Sequence, residues 1–277
     1  MEDLYANING VNMCYAIQGR GSPIILIHGY GGRKEGFFCQ IPILSQKFKV
    51  ITYDLRCSGK SAHPDNLIEM ETFVKDVKEL LIFLEIEKVS VLGESLGGLI
   101  AQQFALTYPE KVHKLILIVT GYSTDWLSDI ILENQVKSLE KKKRNLEEYF
   151  WEQASFLYHQ KIRSQMKANP KKKFYGLWSV DYLIKSSAEN STTANDLRNQ
   201  AHAFKNFNSF EKLGNIKNPT LLIGASHDRV IPNSQMIKMN EKIPNCSLKI
   251  IQKAGHGVCL SRAPEINQII LEFLANS

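Results

Sequence analysis

The stretch SVLGESLGGL, residues 90–99, places a serine between two glycines directly after a short apolar run. Gly93 stands two positions before Ser95, and Gly97 stands two positions after it. A tight turn between a strand and a helix can expose one side chain, but it crowds the backbone on both sides, so the flanking residues must be small. The pattern predicts a G-x-S-x-G turn in which Ser95 is an exposed nucleophile and a helix begins at Leu96.

Apolar runs like the one before Ser95 recur along the chain and alternate with helical periods. The predicted strands are PIILIHG (23–29), 48–54, 88–93, 114–120, 219–225 and 247–252, and the predicted helices are 73–86, 96–108, 233–243 and 263–276. Runs that are apolar on both faces are typical of parallel sheets covered by helices. An Asn9-Gly10 pair between alternating residues adds a hairpin at the start. The sequence therefore predicts an α/β fold with a mostly parallel sheet.

One interval, from Gly121 to Phe210, contains no apolar strand. About ninety residues without a strand is too long for a loop in a compact domain. Its helical, Lys- and aromatic-rich composition predicts a cap or lid inserted between two core strands. The predicted domains are a core domain formed by residues 1–120 and 211–277, and a helical cap formed by residues 121–210.

A serine nucleophile needs a base that takes its proton and an acid that orients the base. In a fold of this kind the two follow the serine in the order acid, then histidine, on loops after later strands. Asp228 follows the strand 219–225, and His256 follows the strand 247–252. We therefore predict Ser95, Asp228 and His256 as the catalytic residues.

Each of these assignments has a plainer alternative. Asp228 could cap the helix after Pro232, and His256 could be an ordinary surface histidine. Asp54 is a second acid at a strand end, but it precedes the serine in the chain, so we interpret it as a structural turn residue. His28, at the end of a buried strand, is expected to bond the loop backbone.

The glycine-rich stretch HGYGG, residues 28–32, follows a predicted strand. Its glycines allow backbone N–H groups to turn toward the nucleophile. We predict an oxyanion hole that combines the N–H of Tyr30 with the N–H of Leu96, at the start of the helix.

The composition of the chain argues against several classes of site and of protein. The 277-residue chain has a net charge of +6, and its basic runs at 141–144 and 171–173 are typical of solvated helical faces rather than of a nucleic-acid site. Five scattered cysteines without a C-x-x-C pair predict neither a disulfide framework nor a zinc site. An acidic N-terminus and the lack of a long apolar stretch predict a cytoplasmic protein with no stable membrane insertion.

The motifs together resemble those of the α/β-hydrolase superfamily, in its small, cap-bearing, cytoplasmic esterase-like branch with a serine nucleophile. The matching stretches are HGYGG, YDLRCSGKS (53–61), GESLGG, 105–118, 224–232 and AGHGV. The resemblance implies an eight-stranded sheet, a cap between the sixth and seventh strands, the same catalytic and oxyanion residues, and no metal or organic cofactor. Cys57 departs from the family pattern, which usually has glycine there.

A serine in the turn argues against the dehalogenases and epoxide hydrolases of this fold, which carry aspartate. We therefore expect a carboxylesterase (EC 3.1.1-like) that cleaves small to medium, mainly apolar esters through an acyl-enzyme. The expected partner is a small-molecule ester or related acyl substrate. Two alternatives stay open: a C–C bond hydrolase or lactonase with the same catalytic residues, and a small-molecule receptor that hydrolyses its ligand slowly.

Overall fold

The central feature of the computed structural model, which describes residues 2–125 and 129–275, is an eight-stranded sheet. The strands are β1 (Leu4–Ile8), β2 (Val11–Gln18), β3 (Pro23–Ile27), β4 (Lys49–Tyr53), β5 (Val89–Glu94), β6 (Val112–Ile118), β7 (Thr220–Ala225) and β8 (Cys246–Ile251). Their order in the sheet is β1-β2-β4-β3-β5-β6-β7-β8. Only β2 runs antiparallel to its neighbours, β1 and β4. The predicted eight-stranded, mostly parallel sheet is thus confirmed.

Eleven α-helices accompany these strands in the described residues. They are α1 (Ile41–Leu44), α2 (Met70–Phe83), α3 (Leu96–Thr107), α4 (Asp129–Arg144), α5 (Leu146–Leu157), α6 (Gln160–Ala168), α7 (Val180–Ala188), α8 (Ala194–Phe204), α9 (Asn233–Lys242), α10 (Val258–Ser261) and α11 (Ala263–Ala275). Helices α2 and α3 pack on one face of the sheet, while α1 and α11 pack on the other. Because both faces are covered, the central strands are apolar on both sides.

Helix α2 begins at Met70 and ends at Phe83, whereas the sequence predicts 73–86. Glu85 stops it in a left-handed conformation with φ 54°, and the Ile86 N–H reaches back 2.9 Å to the Leu81 carbonyl. Glycine usually occupies such a helix stop. Because Glu85 rather than glycine stands there, no residue in the sequence marks the early end.

Five helices, α4 to α8, lie between β6 and β7. Helices α5, α6 and α7 share a hydrophobic cluster in which the Phe174 and Trp178 rings stack with centroids 4.4 Å apart, and Cys39 and Ala263 complete that cluster. Buried residues of α4 and α8 belong instead to the cluster formed by α2 and α3. Residues 1, 126–128 and 276–277, which the predicted domains include, lie outside the described part of the chain. The division at residues 120 and 210 stays a prediction.

No helix in the described residues is both long and apolar enough to cross a bilayer.

The first strand is tied to the core by a buried lysine. Lys34 is 1% exposed, and its Nζ lies 2.9 Å from Asp3, 2.7 Å from Glu35 and 3.3 Å from Asp54. Asp3 also contacts the Lys60 ammonium. Hydrogen bonds from Lys60 and Lys34 lower the pKa of Asp3 from 3.8 to about 2.

This network predicts an acid-sensitive contribution to stability. A carboxyl with a lowered pKa stabilises the folded state at pH values above its unfolded pKa, and this contribution is lost as the pH falls toward the folded pKa. The difference in melting temperature between wild type and Asp3→Asn should be constant above pH 5 and should disappear between pH 4 and 2. Asp65→Asn, at an exposed position, is the control and should show no such trend. A wild-type advantage over Asp3→Asn that persists unchanged at pH 2 would contradict the assignment.

Candidate active site

Ser95 lies at the turn between β5 and α3 with φ 54° and ψ −119°. A residue other than glycine costs about 1–3 kcal/mol in such a conformation, so its surroundings must hold it there. The Ser95 N–H donates to the Ile118 carbonyl at 3.0 Å, and the Ser95 carbonyl accepts from the Thr120 hydroxyl at 2.8 Å and from the Gly98 N–H at 2.9 Å. These bonds fix the turn that exposes the serine.

The glycines around Ser95 are required by close backbone approach. A Cβ on Gly93 would lie 2.2 Å from the Gly97 carbonyl oxygen, and a Cβ on Gly97 would lie 2.0 Å from the Ile27 carbonyl oxygen. Both distances are far inside van der Waals contact. The start of α3 therefore lies against β3 and β5 as the spacing of the glycines predicts.

Gly97→Ala should displace this turn. Because the new methyl group would meet backbone rather than a movable side chain, we expect a loss of about 1–3 kcal/mol in the free energy of unfolding. The measurement is urea denaturation. Gly36→Ala is the matched control, since a Cβ at Gly36 meets nothing within 4 Å, and it should change stability by no more than about 0.5 kcal/mol. Equal denaturation midpoints for the two variants would contradict the account of the turn.

The structure brings Ser95, His256 and Asp228 together in one hydrogen-bonded row. His256 Nε2 lies 3.0 Å from Ser95 Oγ, and His256 Nδ1 lies 2.8 Å from Asp228 Oδ2. The other carboxylate oxygen, Oδ1, accepts from the N–H groups of Val230 at 2.8 Å and Ile231 at 2.9 Å. Asp228 is thus oriented by its own loop, in which two amides hold one oxygen and leave the other for the imidazole.

The plainer alternatives for the acid and the histidine do not fit this geometry. Helix α9 begins after Pro232 without a side-chain cap, so Asp228 does not cap it. His256 is only 8% exposed and is therefore not an ordinary surface histidine.

The end of helix α5 holds the loop that carries His256. The Gly257 N–H donates to the Leu157 carbonyl at 2.8 Å. A Cβ on Gly255 would lie 2.6 Å from the same oxygen, and a Cβ on Gly257 would lie 2.5 Å from the Tyr158 ring. The glycines on either side of His256 therefore let this loop pack directly against α5.

The loop of residues 28–32 approaches Ser95 from β3. A Cβ on Gly29 would lie 3.2 Å from the Ser95 Cβ. Among residues 2–125 and 129–275, neither the Tyr30 N–H nor the Leu96 N–H has a hydrogen-bond acceptor. Both amides are thus available to an oxygen bound beside Ser95.

His28 and Asp54 serve the loops around the site. The Leu55 N–H donates to His28 Nε2 at 3.1 Å, so Nδ1 carries the ring proton and donates to the Gly29 carbonyl at 2.8 Å. Burial lowers the pKa of His28, which keeps the ring neutral. The Asp54 carboxylate accepts the N–H groups of Lys34 at 2.7 Å and Lys60 at 2.9 Å. Both residues are structural, as predicted.

Gln200, on α8, is a residue that sequence reasoning missed. Its side-chain oxygen accepts the Gly31 N–H at 3.1 Å, and its side-chain nitrogen donates to the Cys57 carbonyl at 2.9 Å and to the Ser58 hydroxyl at 2.6 Å. It therefore joins the loop of residues 28–32 to the loop after β4. A glutamine within a helical period carries no sequence signal for such a role.

Cys57, which stands where the family pattern usually has glycine, adopts a conformation that is typical of glycine. It is fully buried and has φ 62°, in the left-handed region that favours glycine. The Gln200 bond to the Cys57 carbonyl supports this conformation. The exchange of glycine for cysteine therefore changes a structural loop and leaves the Ser95 environment as it is.

Glu94, directly before the serine, adds a carboxyl beside the histidine. Burial raises the pKa of Glu94, and the nearby charge of His256 acts in the opposite direction.

Among the described residues, no cluster of His, Cys, Asp or Glu side chains is arranged to hold a metal ion.

Comparison with known proteins agrees with this fold. The chain is 27% identical over 259 residues to the "Putative carbamate hydrolase RutD" of Agrobacterium fabrum, which covers 91% of this chain and 92% of that protein. Two solved structures are similar at the level of the fold. The enol-lactonase of Burkholderia xenovorans LB400 has a TM-score of 0.83 at 20% identity, covering 99% of this chain and 100% of that one. A thermophilic esterase of Thermogutta terrifontis has a TM-score of 0.80 at 23% identity, covering 99% and 98%.

A family model described as alpha/beta hydrolase fold matches residues 22–263. The match includes Ser95, Asp228 and His256 and extends over well more than half of the 277 residues. The chain therefore belongs to the alpha/beta hydrolase fold family.

Proposed function

We propose that this protein is a serine hydrolase that cleaves carboxylic esters through an acyl-enzyme formed on Ser95. The observation that carries the proposal is the unbroken hydrogen-bonded row from Ser95 Oγ through His256 to Asp228, with distances of 3.0 and 2.8 Å. A serine hydroxyl is a weak nucleophile alone, and such a row supplies both the base and the group that orients it.

In the first half of the reaction, Ser95 Oγ attacks the carbonyl carbon while His256 Nε2 takes the hydroxyl proton. The Asp228 carboxylate stabilises the imidazolium that forms, through its bond to Nδ1. Collapse of the tetrahedral intermediate breaks the bond to the leaving oxygen, which receives the proton from His256. The alcohol leaves, and the acyl group stays on Ser95.

The negative oxygen of that intermediate is assigned to the N–H groups of Tyr30 and Leu96. The support is that both amides lack an acceptor among the described residues and that Leu96 begins helix α3, whose N-terminus favours negative charge. Loss of one such donor typically costs about 2.7–4 kcal/mol of transition-state stabilisation.

In the second half, His256 takes a proton from water, and the resulting hydroxide attacks the acyl carbon. The acid leaves, and Ser95 regains its proton from His256. The described residues thus suffice for each proton transfer in this scheme, and the Asp228 bond to Val230 and Ile231 keeps the histidine in the same orientation through both halves.

The substrate could instead be a carbamate. The observation that favours this second candidate is the 27% identity, over 91% of this chain, to a relative named as a carbamate hydrolase. The same three side chains would act, with an attack on the carbamate carbonyl. The structural likeness to a lactonase is at 20% identity and adds no support for that activity.

A matched substrate panel tests the proposal. It contains p-nitrophenyl esters of increasing chain length, an aryl carbamate with the same leaving group, several lactones and a vinylogous diketone. We expect multiple turnover of the esters, with a preferred acyl length and a kcat/KM at least tenfold above that of the other classes. Faster turnover of the carbamate would establish the second candidate. Faster turnover of lactones or of the diketone, or slow single turnover throughout, would contradict the ester assignment.

A further inference from the structure

Five basic or protonatable side chains converge outside the row of catalytic residues. His159 directly precedes α6, and Arg163 lies within that helix. The loop after β7 carries His227 and Arg229, and the loop after β8 carries Lys253. We call this set the basic seam, because it lies where the helices between β6 and β7 contact the loops that carry Asp228 and His256.

The contacts that assemble the basic seam are direct. The rings of His159 and His227 meet edge to face, with centroids 4.5 Å apart. Arg163 lies one turn along α6 from His159, and its N–H donates to the His159 carbonyl at 3.2 Å. Arg229 Nη1 lies 3.5 Å from the Ser155 carbonyl oxygen at the end of α5. The charges of His227, Lys253, Arg163 and Arg229 all lie near enough to His159 to lower its pKa, after the effect of its loss of hydration.

The β7 and β8 loops are joined on the other side of the same pair. The Lys253 N–H donates to Ser226 Oγ at 2.9 Å, and that hydroxyl lies 2.8 Å from His227 Nδ1. The His227 N–H donates to the Ala254 carbonyl at 2.8 Å. The backbone of Lys253 is thereby held next to the His227 segment.

The part of the chain that the structure describes supplies no carboxylate to neutralise this charge. Within it, Arg163, Arg229 and Lys253 form no ion pair. The Nε of Arg163 is buried and has no hydrogen-bond partner there. The pKa of His159 is lowered, first by its loss of hydration and then by the charges of His227 and Lys253. Like charges this close repel one another, and an anion between them would remove the repulsion.

We propose that the basic seam is a binding site for an oxyanion group, such as a phosphate, sulfate or carboxylate, carried by a small molecule. Arginine guanidinium groups suit such ligands because they present paired donors to two oxygens at once. The site is separate from the catalytic row, since the Asp228 side chain is only 2% exposed and points to His256, whereas His227 and Arg229 face solvent. A bound anion would fasten α6 to both loops that position Asp228 and His256.

Sulfate is the probe, because its charge does not change near neutral pH. Thermal denaturation is followed during a sulfate titration at constant ionic strength, set with sodium chloride, for wild type, Arg163→Gln, Lys253→Gln and the double variant. Lys171→Gln, an exposed lysine on the same helical insertion, is the matched control. We expect saturable stabilisation of wild type and of the control, and an apparent Kd at least tenfold weaker in the double variant. Equal stabilisation of all the proteins, or none in wild type, would overturn the proposal.

A second arm distinguishes a free anion from an anionic part of the substrate. It compares kcat/KM for a neutral p-nitrophenyl ester and for its ω-carboxylate analogue in wild type and in the double variant. A selective loss of at least tenfold for the analogue would support an anionic substrate group as the ligand. Unchanged ratios, together with lost sulfate binding, would support a separate anionic ligand. The sulfate titration measures binding alone, so its result does not depend on whether the protein is a hydrolase.

Discussion

Ser95→Ala is expected to lower kcat/KM for an activated ester by roughly 10⁵-fold or more, because it removes the atom that forms the acyl bond. The fold should persist. The turn is fixed by the backbone of Ser95, through Ile118, Thr120 and Gly98. Within residues 2–125 and 129–275, the hydrogen bond of its side chain is the one to His256. We expect the free energy of unfolding to change by about 1 kcal/mol or less. Initial rates and thermal denaturation on the same preparations test both parts.

Ser61→Ala is the matched control for this substitution and should give the opposite pattern. The Ser61 hydroxyl is buried, donates to the Asp54 carbonyl at 2.6 Å and accepts from the Cys14 N–H at 2.9 Å. Its loss should lower stability by about 1–3 kcal/mol and leave kcat/KM of the folded protein near that of wild type. Ser95→Ala enzyme that retained ester turnover would show that another group is the nucleophile.

Asp228→Asn should lower kcat by roughly 10⁴-fold while leaving the side-chain volume unchanged. The carboxylate accepts the proton of His256 Nδ1, which leaves Nε2 free to take the proton of Ser95. An amide that donates to Nδ1 instead would move the ring proton to Nε2, where it cannot accept from the serine. Steady-state kinetics with the ester panel measure the effect.

Asp54→Asn tests the rival acid with the same change of atoms. Asp54 is fully buried and accepts the amides of Lys34 and Lys60, so its substitution should reduce stability and leave the kcat of the folded protein within about tenfold of wild type. Near-normal activity of Asp228→Asn, with loss of activity in Asp54→Asn, would reverse the assignment of the acid.

Much of the sheet and of the site could be predicted because both depend on local patterns. The strands appear as short apolar runs, and the chain order of parallel strands determines which loops meet at their carboxyl ends. That rule brings Asp228 and His256, 28 residues apart, to the same edge as Ser95. The spacing of Gly93 and Gly97 similarly reports a backbone contact that only glycine permits.

The features that could not be predicted depend on contacts between distant parts of the chain. Gln200 bonds Gly31 from 169 positions away, and nothing near either residue signals the pairing. Glu85 and Cys57 adopt left-handed conformations although neither is glycine. No glycine in the sequence therefore marks the helix end at Glu85 or the loop conformation at Cys57. The basic seam is likewise invisible in the sequence, because its members come from three separate segments and none lies in a basic run.

The most direct test of the central claim is intact-mass measurement after treatment with a fluorophosphonate, on wild type and Ser95→Ala side by side. Such a probe forms a stable bond only with a serine that a neighbouring base activates. We predict a single adduct on the wild-type protein and none on Ser95→Ala. No adduct on folded wild type, or an equal adduct on both proteins, would contradict the assignment of Ser95 as an activated nucleophile.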